Sequence, residues 1–198
     1  MESTAGHAAR GQGERREVKA APGKLRLARE ADIPALEELI PLSVRGLQAE
    51  HYSPAQMDAA IGVIFGVDRQ LIRDGTYFVV EAEGRIIGCG GWSKRKKLFG
   101  GDAHRTGGED AMLDPKSDAA RIRAFFVHPD FARRGIGREI LNACEAALVA
   151  AGFRKAALSA TLAGEPLYTA FGFQVVKRYE FKMAGGLELP VVLMSKEF

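Results

Sequence analysis

The sequence predicts a mixed α/β domain. Short runs of strand-like alternation recur along the chain, faces with helical spacing separate them, and the middle reads strand, helix, strand. The expected order is β, helices, β-hairpin, β, α, β, α, β-hairpin, with a sheet of about six to seven strands. The central β-α-β unit should be parallel and right-handed.

Each element has its own signal. Leu25 and Leu27 alternate with polar residues, a short strand. Asp32 is placed as an N-cap with Pro34 in the first turn, and Ile33, Leu36, Leu39 and Ile40 form one face. Pro41 is expected to stop that helix. Ser53-Pro54 opens a second helix with Met57, Ala60, Ile61, Ile64 and Phe65 on one side, and residues 68–73 extend the helical region to Gly75. Residues 76–82 and 85–93 form a hairpin about Glu83-Gly84, with Cys89 as a small buried hydrophobe. Residues 94–118 form a long polar loop with a KRKK run. Residues 121–127 make a strand, and 136–151 a helix with Ile136, Ile140, Leu141, Cys144, Ala147 and Leu148 on its apolar stripe. Residues 155–161 form a strand and 166–171 a short helix. Residues 173–183 and 187–195 form a final hairpin, with a bulge expected at Pro190 because proline donates no ladder bond.

Composition narrows the function classes. The 198 residues suit one domain at 24–198 behind a flexible tail at 1–23. A net charge of +3 is too weak to argue nucleic-acid binding. Cys89 and Cys144 lie far apart with no CxxC, which argues against a disulfide scaffold and a cysteine-built zinc site. His7, His51, His104 and His128 show no ligand spacing, so no metal is expected. No apolar run is long enough for a membrane span and the first residues lack a signal-peptide core, so the expected compartment is the cytoplasm.

The chemistry concentrates in VHPDFARRGIGR, residues 127–138. A strand ends, a short loop follows, and a helix starts among arginines and glycines. Gly135 and Gly137 let a ligand approach the backbone, free N–H groups at the helix start favour phosphate, and Arg133, Arg134 and Arg138 add charge. Ile140 stands where a dinucleotide-binding GxGxxG would have its third glycine, and no P-loop signature is present. By itself the segment also fits a solvated arginine-rich helix start.

Together with Leu167-Tyr168-Thr-Ala-Phe171-Gly-Phe173, this segment resembles the GCN5-related N-acetyltransferase (GNAT) superfamily. Gly135 and Gly137 fit its phosphate motif, with Ala132 where Gln or Arg is usual and Arg133 one place later. Tyr168, Gly172 and Phe173 match its later motif, with Thr161 and Gly164 where Asn and Ala are frequent. The resemblance implies the GNAT fold, with a splayed central parallel pair of strands holding acetyl-CoA. It further implies that backbone groups of Phe125 and Val127 bind the pantetheine arm, and that the N–H groups of Arg133, Arg134, Gly135, Ile136, Gly137 and Arg138 hold the pyrophosphate. Thr161 would touch the cofactor. Tyr168 would stand near the sulfur and reprotonate the leaving thiolate, and the Val127 N–H would steady the oxyanion. A homodimer is a family expectation.

The general base stays open among Asp118, Glu81, Asp114, Glu180, His128 and a water relay, since Arg121 replaces a Glu that some protein-acetylating relatives carry. Arg121 and Arg123 share a strand face and would favour an anionic acceptor, or else bridge to acidic residues. The expected acceptor is a small-molecule primary amine, without nucleic acid or membrane. The alternatives are a protein or peptide N-acetyltransferase, a non-catalytic acyl-CoA-binding module, and an RNA-binding accessory drawing on the KRKK run.

Overall fold

The computed structural model describes residues 22–96 and 111–198. The proposed tail, and the part of the long loop that carries Lys97 and Phe99, lie outside them. The elements are β1 (Lys24–Leu27), α1 (Ile33–Leu47), α2 (Pro54–Ala60), α3 (Arg69–Arg73), β2 (Tyr77–Ala82), β3 (Arg85–Ser93), β4 (Ala120–Val127), α4 (Ile136–Ala150), β5 (Lys155–Thr161), α5 (Glu165–Ala170), β6 (Gln174–Lys182) and β7 (Glu188–Glu197). They build one seven-stranded sheet in the order β1-β2-β3-β4-β5-β7-β6.

Every neighbouring pair is antiparallel except β4 and β5, which run parallel. That pair meets at two rungs, Ala120↔Ala156 and Arg121↔Ala157. Beyond them both strands continue unpaired with each other, so a V opens toward the end of β4. Period-2 alternation sends the sheet's side chains into two cores. Leu36, Ile40, Val44, Val79 and Phe126 lie in one with α1–α3, and Ile122, Leu158, Ile140 and Leu148 in the other with α4.

Three expectations are corrected. Helix α1 runs through Pro41 to Leu47. A proline inside a helix costs about 3 kcal/mol. Leu36, Leu39, Ile40 and Val44 are all at most 2% exposed, and each buried aliphatic side chain returns about 1.5–3 kcal/mol, so packing on both sides of Pro41 outweighs the break. Helix α2 ends at Ala60, and Ile61, Ile64 and Phe65 lie in a turn closed by an Ile61↔Phe65 bridge rather than on the helix. No bulge forms at Pro190, which pairs with Glu180 one residue past the end of the β5 ladder, where its missing N–H has no partner to lose. The irregularity falls at Val175–Lys177 in β6.

Candidate active site

The V is shaped by a bulge in β4. Cys89 pairs with Phe126 and Gly91 with Arg123, so Ala124 and Phe125 together face Gly90. Ala124 takes φ +60°, and its carbonyl accepts a hydrogen bond from the Tyr77 hydroxyl at 3.3 Å. Tyr77 also lies 3.2 Å from the Cys89 sulfur. Burial pushes the Cys89 thiol up to about 12, so it stays neutral packing material.

Past the bulge, the His128 N–H bonds to the Ile87 carbonyl of β3. Successive N–H groups of a strand alternate sides, so the Val127 N–H points away from β3 into the V. There it donates to Ser43 Oγ of α1 at 3.0 Å. Ser43 is buried at 3% exposure. The amide expected to meet the cofactor is therefore capped by a side chain of this chain.

The loop after β4 begins with bonded N–H groups and ends, among the described residues, in a row of free ones. His128 Nδ1 accepts from the Asp130 N–H, and a 3₁₀ turn at Pro129–Phe131 follows. Arg133 has φ +62°, and Gly135, the residue before α4, has φ +90°, a conformation that favours glycine. Among the described residues, none of the N–H groups from Arg133 to Arg138 has an acceptor in the chain. These groups and the positive end of the α4 dipole face the open end of the V. The Arg134 and Arg138 guanidinium groups stack on Phe131 and Phe171, at 5.2 and 5.4 Å from the ring centroids. A Cβ on Gly137 would lie 3.1 Å from Leu167, so its absence lets α5 close on α4.

Tyr168 of α5 is 7% exposed, its ring edge-on to Phe125 at 6.0 Å and to Phe173 at 5.9 Å. Burial raises its pKa well above 10, which keeps the phenol protonated. Phe125 and Tyr168 are thus brought together on the α4 side of the V. Thr161 Oγ1 accepts from the Gly164 N–H at 3.2 Å and caps the turn into α5.

The expected substrate arginines part company. Arg123 forms an ion pair with Asp68 at 2.7 Å, both side chains 4% exposed, and so takes the bridging alternative. Arg121 is half-buried and its Nε has no partner among the described residues. Burial lowers its pKa, the charge of Asp118 opposing and that of Arg123 adding.

Several base candidates are engaged elsewhere. Glu81 pairs with Arg26 at 2.8 Å, Asp118 and Asp114 bond within their own turn, and Glu180 is exposed on β6. Trp92 is buried in the α4-side core. A cavity of about 330 Å³ lined by Arg26, Asp32, Glu38, Leu42, Arg85 and His128 lies between α1 and β1–β3. No residue of β5, α4 or α5 lines it, so it stands apart from the V.

Two residues escaped sequence reading. Ser43 belongs to no local motif. Tyr52 follows α1, donates to the Pro190 carbonyl at 2.7 Å and accepts from the Leu162 N–H at 3.0 Å. It ties the α1–α2 connection to β7 and the end of β5, and burial raises its pKa to about 12. Both act on backbone atoms far away in sequence, which no local pattern reveals.

No helix among the described residues is long and apolar enough to cross a membrane, and none of their His, Cys, Asp and Glu side chains cluster as a metal site. No curated protein matches the sequence. Solved structures do share the fold. A GCN5-related N-acetyltransferase from Rhodopseudomonas palustris aligns at TM-score 0.68 and 19% identity, covering 92% of this chain and 99% of that one. An N-acetyltransferase from Thermoplasma acidophilum, solved with coenzyme A, aligns at 0.61 and 16%, over 88% and 98%. An acetyltransferase from Salmonella typhimurium, solved with acetyl-CoA, aligns at 0.60 and 19%, over 88% and 93%. The domain model described as acetyltransferase (GNAT) domain matches residues 73–175, just over half of the chain and the whole of the V. The chain belongs to the GNAT acetyltransferase family.

Proposed function

We propose that the protein transfers acetyl from acetyl-CoA directly to a primary amine of a small molecule, within a catalytic unit at residues 24–198. The observation that carries this reading is the row of unpaired N–H groups from Arg133 to Arg138 at the mouth of a V with two rungs at its apex. Such a row suits a pyrophosphate, and the V suits an extended arm running along β4. The bound cofactor supplies an acyl carbon activated as a thioester.

The chain's own residues would do the rest. The Val127 N–H is aimed into the V and serves as a donor to an acyl or arm carbonyl once Ser43 yields it. Tyr168 holds its proton at neutral pH and would give it to the departing thiolate, the phenolate then regaining the proton shed by the attacking amine. Phe125 and Phe173 around it keep water from that end. The ties to β7 from Tyr52 of the α1–α2 connection and from Gln56 Nε2 of α2, which donates to the Glu188 carbonyl at 2.7 Å, bridge the acceptor face. A bridged face suits a compact acceptor better than an extended chain. A cytoplasmic location and a homodimer belong to the same reading.

The test combines binding and turnover. Acetyl-CoA at about 100 times its Kd should stabilise the fold by about 2.7 kcal/mol, visible in Tm, while NAD and ATP should not. Tyr168→Phe should keep that shift and lower kcat by about 100-fold or more. An absent acetyl-CoA shift removes the cofactor assignment, and an unchanged kcat removes Tyr168 as the acid.

A further inference from the structure

We propose that Arg121 is an anion-holding subsite of the acceptor site, so that the acceptor amine also carries a carboxylate. The inference rests on the acetyl-transfer reading and names its substrate class.

Position comes first. Arg121 occupies the last paired rung of β4 and β5, the apex of the V. An arm anchored at the α4 loop and laid along β4 points its reactive end toward that apex. Ala120 and Ile122 face the α4-side core, whereas Arg123 reaches Asp68 at the start of α3. Alternation therefore puts Arg121 on the α3 side, across the sheet from Tyr168. An amine held there would meet the acyl carbon from the face opposite the phenol.

Chemistry comes second. A half-buried guanidinium has lost part of its hydration and normally recovers it from a carboxylate. Arg123 does so with Asp68, but among the described residues Arg121 has no ion-pair partner and its buried Nε has no acceptor. On that face Ala157 stands beside it with Ser195 beyond, Ser93 lies on the β3 side and Arg123 two residues on. The Asp118 charge reaches it, but that carboxylate makes no ion pair with it among the described residues and accepts the Asp114 N–H. The Ser159 and Tyr179 hydroxyls nearby are 2.9 Å apart and occupied with each other. The donor set left over is thus one planar cationic fork, which matches a carboxylate in a two-bond arrangement.

The experiment compares L-amino acids with the corresponding amino-acid amides, which keep the amine and lose the anion. Thiol release with acetyl-CoA gives kcat/KM, and Tm of the CoA-loaded protein gives binding without turnover. The carboxylates should be preferred by about tenfold or more. Arg121→Gln should collapse the carboxylate-to-amide ratio toward one, Arg121→Lys should keep part of it, and acetyl-CoA affinity should hold in both. Arg121→Met should melt no lower than the parent, which guards against misfolding as the cause. Equal turnover of acids and amides by the parent, or equal losses on both in Arg121→Gln, would overturn the subsite and leave acetyl transfer standing. A carboxylate-specific Tm shift lost in Arg121→Gln, with no thiol released from any amine, would keep the subsite and overturn acetyl transfer.

Discussion

Ser43 shows how one side chain can tie helix α1 to strand β4. Its hydroxyl fills the acceptor position of the Val127 N–H, the place a ligand carbonyl would take. On the proposed reading, binding would exchange one hydrogen bond for another, and the net worth of the first, about 0.5–1.5 kcal/mol, would be subtracted from cofactor affinity. Ser43→Ala should therefore lower the acetyl-CoA Kd by about two- to tenfold and lower the Tm of the free protein. A weaker Kd in calorimetry would mean that Ser43 touches the cofactor instead of yielding to it. Tyr168 differs in that a local pattern, the spacing from Tyr168 to Gly172-Phe173, singles it out as a candidate. None singles out Ser43, because 84 residues separate it from the amide it caps.

At the level of elements, the V depends on parts that hold it from outside. Asp68 caps α3 through the Leu71 N–H at 3.2 Å and pairs with Arg123 of β4 at 2.7 Å. Removing one partner of a buried ion pair costs about 3–5 kcal/mol. Asp68→Ala should lose about that much in urea denaturation, and Arg123→Met added to it should recover a substantial part. A loss under about 1 kcal/mol would mean that water reaches Arg123 freely. Element identity was largely readable because each strand and helix carries its own hydrophobic period. The failures at Pro41 and Pro190 share one cause. Both prolines were judged by local rules, and the tertiary surroundings removed the penalty, by core packing at one and by the end of the β5 ladder at the other. The pairing of Arg123 with Asp68 was equally hidden, since a strand pattern says which face a residue takes but not what waits there.

For the whole molecule, charge sets the response to acid. Arg26 beside Asp32 and Arg95 beside Asp74 hold both carboxyls below their ordinary pKa. A depressed native pKa contributes stability that is complete above the unfolded value, about 3.9, and is lost as pH falls through the native one. Tm should thus hold down to about pH 4 and drop below it, and Asp74→Asn should shrink the drop. An Asp74→Asn profile parallel to the parent's would remove that pair from the account. Burial raises the Glu139 pKa, so its protonation works in the opposite direction and softens the first part of the descent. The strand order has a consequence for synthesis. Strand β7 leaves the ribosome after β6 yet stands between β6 and β5, and among the described residues it is the neighbour on which β6 depends. Until β7 follows, the nascent chain carries a solitary strand with Val175 and Val176 open to solvent, the sort of edge that invites sticking between chains. Two features of the sequence limit that hazard. The turn at Ala184–Gly186 is tight enough that the partner follows almost at once, and Lys177, Arg178 and Lys182 give neighbouring nascent chains a shared charge that keeps them apart.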